Sequence, residues 1–81
     1  MDNDVDGLDR ALLKAHDRQD LEALVTLYTK AADRREALGE VEAACFYLTQ
    51  AFVFALESGS SEARSLNARL VSYGRAVPLP D

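Results

Sequence analysis

The stretch VEAACFYLTQAFVFALES, from Val41 to Ser58, is charged only at Glu42 and Glu57 and holds Phe46, Tyr47, Phe52 and Phe54, four of the six aromatic residues in the chain. A helix that is apolar on nearly every side has to be covered on nearly every side. Placed at about 100° per residue, Val41, Cys45, Phe52 and Leu56 fall together, and Ala44, Leu48, Ala51 and Ala55 carry the same surface round to Tyr47 and Phe54. That face is wide enough for two neighbouring helices. On the remaining arc Glu42, Thr49, Gln50 and Glu57 read as solvent-facing, yet Phe46 and Val53 lie among them, one heptad apart. Either another helix of the same chain covers this pair, or another chain does.

The flanking sequence supplies further helices. From Leu8, the residues Ala11, Leu12 and Ala15 make one apolar stripe opposite Arg10, Lys14 and Asp17. Met1 to Asp4 is polar and expected to fray, and Asp4 or Asp6 can cap this first helix. Asp20 is the expected cap of a second helix from Leu21 to about Leu38, with Leu21, Leu24, Val25, Leu27, Tyr28, Ala31 and Ala32 on one side. Gly39 supplies a left-handed stop, and Glu40 leads straight into the central helix, so the two fold back as an antiparallel hairpin. Ser58-Gly59-Ser60-Ser61 repeats the pattern, a glycine stop followed by a serine cap. In the last helix Ala63, Leu66, Leu70, Tyr73 and Val77 form a narrow stripe that Pro78 and Pro80 bring to an end, leaving a short tail. The expected fold is all-α, a four-helix antiparallel array or bundle in one domain.

At 81 residues the chain lies where one core is marginal and association is a common supplement. Its 48% hydrophobic and 28% charged content excludes a disordered chain. A net charge of −5 argues against nucleic acid, whose binding rests on Lys and Arg neutralising phosphates, and against anionic membrane surfaces. The acidity is uneven: Asp2, Asp4, Asp6 and Asp9 crowd the start, while Arg64, Arg69 and Arg75 lie towards the end. That asymmetry either orients a head-to-tail contact or complements the helix dipoles. The apolar run is broken by Thr49 and Gln50 and bounded by glutamates, so it reads as a core helix and not as a membrane span. With a single cysteine and no secretion signal, a reducing cytoplasm is the default expectation.

Leu24, Leu27, Tyr28 and Ala31, the Gly39-Glu40 turn, and Ala44, Leu48 and Ala51 together resemble a tetratricopeptide-like helical hairpin. The likeness covers roughly half the chain and rests on the small-large-small spacing that lets two helices approach closely. It departs from the family at Ser58-Gly59, where the repeat carries a proline, and its helices are longer. The resemblance implies protein or peptide binding and no catalysis.

No residue cluster amounts to a chemical site. His16, the only histidine, stands near the end of the first helix, where a cation complements the helix dipole. Cys45 falls between Phe52 and Leu56 and reads as a small buried hydrophobe. Asp2, Asp4 and Asp6 alternate like ligands of a calcium loop, but Gly7 comes one place late and the closing glutamate is missing. Arg34 and Arg35 point to different sides and read as solvated or paired with nearby acids. Phosphate loops, metal-binding Cys or His pairs and nucleophile motifs are lacking, and no cofactor is expected. The sequence therefore points to a non-enzymatic interaction module with Phe46, Tyr47, Gln50, Val53 and Phe54 as the protein-binding residues. The alternatives are a homodimer closed through the same helix, and an accessory subunit of an enzyme with a ligand groove.

Overall fold

A computed structural model of the chain describes residues 3–80, with side chains from Gly7 onwards. It is all-helical, in the order α1 (Asn3–Asp17), α2 (Leu21–Ala37), α3 (Val41–Ser58) and α4 (Glu62–Ser72). Met1 and the aspartate that follows it lie outside the described residues. Asn3 is already helical, so Asp4 and Asp6 sit inside the first turns of α1 and do not cap it from ahead.

Each helix packs on its neighbour in sequence: α1 on α2, α2 on α3, and α3 on α4. Among the described residues the backbones of α1 and α4 never approach, so the four helices form an open array and not a closed bundle. The array is a slab of 41 × 30 × 13 Å, about one helix thick in its shortest dimension.

The connections are short and built alike. At each helix end a residue in the left-handed region lets the chain reverse: Gln19 (φ 53°), Gly39 (φ 75°), Gly59 (φ 68°) and Gly74 (φ 72°). The following amide then donates back across the last turn, Asp20 to the Ala15 carbonyl (2.9 Å), Glu40 to Arg35 (2.9 Å), Ser60 to Ala55 (2.8 Å) and Arg75 to Leu70 (2.9 Å). This is the Schellman arrangement, which satisfies carbonyls that a helix end would otherwise leave bare. Asp20 caps α2 as expected, its Oδ1 accepting from the Ala23 amide at 3.1 Å. At α4 the cap bond comes from Ser60, whose Oγ accepts from the Glu62 amide at 3.1 Å.

The last helix is shorter than its apolar stripe suggests. Gly74 stops it, so Tyr73 lies just past its end and Val77 is not on it; Val77 is 78% exposed. A glycine able to take a positive φ outweighs a helical period that happens to continue beyond it.

The core is made largely of alanine. Val25 and Ala32 of α2, Cys45, Leu48, Ala51 and Ala55 of α3, and Ala63, Leu66 and Leu70 of α4 form one buried cluster. Small side chains let these helices approach closely, and Leu24, Leu48 and Leu66 are the largest side chains wholly enclosed. Two residues expected in this core are not in it: Val41 is 39% and Leu56 54% exposed. Val41 opens the first turn, and Leu56 lies on the edge of the apolar arc, beside the arc of Thr49 and Glu42.

Ion pairs tie α4 and its tail back to the hairpin. Arg69 bridges Asp33 (2.7 Å) and Glu36 (3.2 Å) on α2. Tyr73 donates its hydroxyl to the other Glu36 oxygen. Arg75 grips both oxygens of Glu42 at the start of α3 (3.3 and 2.9 Å). Two of the three C-terminal arginines thus find their acids within the chain. Arg35 pairs with Glu40 across the α2–α3 turn at 2.8 Å.

Candidate functional site: the outer face of the third helix

α3 is sandwiched on one side only. With Ala44, Leu48, Ala51 and Ala55 at 0% exposure turned to its neighbours, the helical period sends residues 46 and 53 the opposite way. Phe46 is 58% and Val53 42% exposed, and neither α1 nor α4 reaches over them. Gln50 stands half-buried between the pair, one turn from each. Thr49 is exposed, and its hydroxyl donates to the Cys45 carbonyl (2.8 Å). Glu57 is exposed at the far end of the stripe, and Glu42, held by Arg75, marks the near end.

Tyr47 and Phe54 behave differently from Phe46. They are half-buried and lean towards α2, where their rings stack on Tyr28 at 6.1 and 5.9 Å between centroids. Phe46 meets Tyr47 edge-on at 5.3 Å. On the far side Phe54 meets His16 of α1 edge-on at 5.7 Å, and His16 Nε2 lies 2.9 Å from the Tyr28 hydroxyl. Five rings from three helices therefore make a continuous row, with Phe46 as its exposed end. Edge-to-face and offset contacts at these distances are the favoured geometries for aromatic pairs. Burial, and next the neighbouring Tyr47, raise the pKa of the Tyr28 hydroxyl. The neutral hydroxyl is thus the form that faces His16.

Of the five expected site residues, Phe46 and Val53 are open on the outer face of α3 and Gln50 is half-buried between them, while Tyr47 and Phe54 turn towards α2 and pack on the core, with Tyr47 backing Phe46. His16 and Tyr28 belong to the same row and were not legible as part of it. The sequence places Tyr28 on the apolar side of α2 and His16 near the end of α1, and which rings meet depends on how three helices rotate against one another.

His16 is exposed at the end of α1, and no group of three His, Cys, Asp or Glu residues that could hold a metal occurs among the described residues. Cys45 is a free thiol, 3% exposed. No helix of the described chain is long and apolar enough to cross a membrane. No family model, curated protein or solved structure matches this chain.

Proposed function

We propose that this chain is a non-enzymatic interaction module, an adaptor or regulator that binds another protein through the outer face of α3. The observation that carries the reading is the exposure of Phe46 and Val53, at 58% and 42%, one heptad apart on the most apolar helix of the molecule. Residues at that spacing present a straight seam to a facing helix. The acidic rim at Glu57 and the net charge of −5 select the occupant, a partner's amphipathic helix that sets basic residues beside its apolar stripe. In such an interface Phe46 is the anchor, held in place by Tyr47, with Val53 and Gln50 completing the patch. Aromatic anchors of this kind carry much of the binding energy in protein interfaces.

The tetratricopeptide-like reading belongs to the same proposal. It is supported by the open array and by Ala44, Leu48 and Ala51, the small-large-small set, all at 0% exposure against neighbouring helices. The cytoplasm is the compartment that fits the free, buried thiol of Cys45.

The test is Phe46→Ser with Val53→Ser. The double variant keeps its helical circular dichroism, because both side chains are outside the core, and loses capture of the partner, each anchor truncation costing about 2 kcal/mol when it is a hot spot. Collapse of the helical signal would make the pair core residues and end the proposal. Sedimentation of the wild-type protein at micromolar concentration separates a heterologous partner, for which it is a monomer, from a homodimer through the same seam.

A further inference from the structure

Asn67 lies on α4 at the edge of the core with 5% of its surface exposed, the one polar side chain so buried among the described residues. No described group hydrogen-bonds its amide, although the amide is not sealed from solvent. A primary amide carries two donors and an acceptor, and here they are left to solvent and not to other protein groups. Asn67 lines an open groove of about 260 Å³, with Arg64, Ala68 and Val71 of α4 on one wall and Pro78 and Leu79 of the tail on the other. Arg64 stands one turn before Asn67 and is exposed. While Arg69 and Arg75 are held by Asp33, Glu36 and Glu42, Arg64 makes no ion pair among the described residues.

We propose that this groove binds an extended segment of a partner protein, with Asn67 pairing to the segment's backbone and Arg64 to an acidic side chain within it. A carboxamide matches a peptide group in both senses at once, giving its N–H to the carbonyl and its oxygen to the amide. The unpaired guanidinium next to it selects a carboxylate, the anion its planar fork fits best. The walls suit an extended chain. One is the α4 face of Arg64, Asn67, Ala68 and Val71, spanning two helical turns, and the other is the tail without regular structure at Pro78 and Leu79, and the groove between them is open to solvent. Val71, Ala68 and Leu79 supply apolar contact to the segment's neighbouring side chains. The site is independent of the α3 face and stands or falls separately from it.

A display library of random nonapeptides, panned on the folded full-length chain, tests this. The expected result is an enriched set sharing one Asp or Glu position. Its binding falls at least tenfold in Asn67→Leu, while the melting temperature of that variant equals or exceeds that of the wild type. Asn67→Ala, which leaves the space open, loses binding in the same way and covers the case in which leucine does not fit. Arg64→Gln keeps the fold and erases the preference for the acidic position. The proposal is overturned if no sequence is enriched over background, or if the enriched peptides bind Asn67→Ala and Arg64→Gln within twofold of the wild type.

Discussion

At the scale of single residues, Gln19 is the clearest point of strain. It occupies the left-handed region at φ 53°, where the other three helix ends use glycine. A side chain there costs roughly 1–2 kcal/mol, part of which glycine would return as added freedom of the unfolded chain. Gln19→Gly is therefore expected to stabilise the fold by up to about 1 kcal/mol, seen as a rise of a few degrees in Tm. Gly39→Ala should do the reverse by a similar amount, since its φ is 75°. Its neighbourhood has room for a Cβ, so the loss would be conformational and not steric.

A second residue-scale expectation concerns pH. The Tyr73 hydroxyl, and then the nearby Arg69, hold the Glu36 carboxyl below its ordinary value. In turn the bond to Glu36 pushes the Tyr73 pKa up. A carboxylate depressed by folding stabilises the fold above its unfolded pKa, and that contribution is lost as pH falls through the folded value. A tyrosine raised by folding acts at the other end, its contribution present below its unfolded pKa and lost as pH rises through the folded one. The tie between α2 and α4 is thus complete between the carboxylate and tyrosine ranges and weakens outside both. Glu36 is exposed and Tyr73 only half-buried, so the effect is modest. Tyr73→Phe should flatten the alkaline limb of a Tm-versus-pH curve, and a limb of unchanged slope would count against the assignment.

At the scale of helices, the alanine seam of α3 determines what the hairpin tolerates. Ala51 is at 0% exposure between close-packed helices, and Ala51→Leu is expected to cost about 1–3 kcal/mol by overpacking. Leu48→Ala, which empties one of the three largest enclosed positions, should cost about 2–5 kcal/mol. Chemical denaturation of both variants checks the pair. The same helices show how far sequence alone carries. The ends at Asp20, Gly39 and Gly59 were legible because a capping side chain or a glycine stands where the apolar period stops. The end of α4 was not, because Leu66, Leu70, Tyr73 and Val77 keep their period across Gly74 and disguise the stop. The end of α1 carries no glycine at all. Exposure of Phe46 and Val53 followed from periodicity, since both fall on the polar arc. The ring row from His16 to Phe46 did not, for it is a product of packing between elements.

At the scale of the whole molecule, the slab has two ends that are not equivalent. α1 rests on α2 alone, and its apolar stripe of Leu8, Ala11 and Leu12 is only half-buried. α4 is fastened by a salt-bridge cluster as well as by packing. Amide hydrogen exchange should therefore show α1 opening well before α2 and α3, with α4 protected longer than α1. Equal protection of all four helices would mean that the molecule unfolds as one cooperative unit.

That neighbours in sequence are also the neighbours in space sets how the molecule is made. Every helix meets its packing partner after a turn of three residues, so no step has to bring distant parts of the chain together. Chains with such local connectivity reach their native state in microseconds to milliseconds. During synthesis α3 can dock on α2 as soon as it leaves the ribosome, and only the strip of its apolar face that Ala63, Leu66 and Leu70 cover waits for α4.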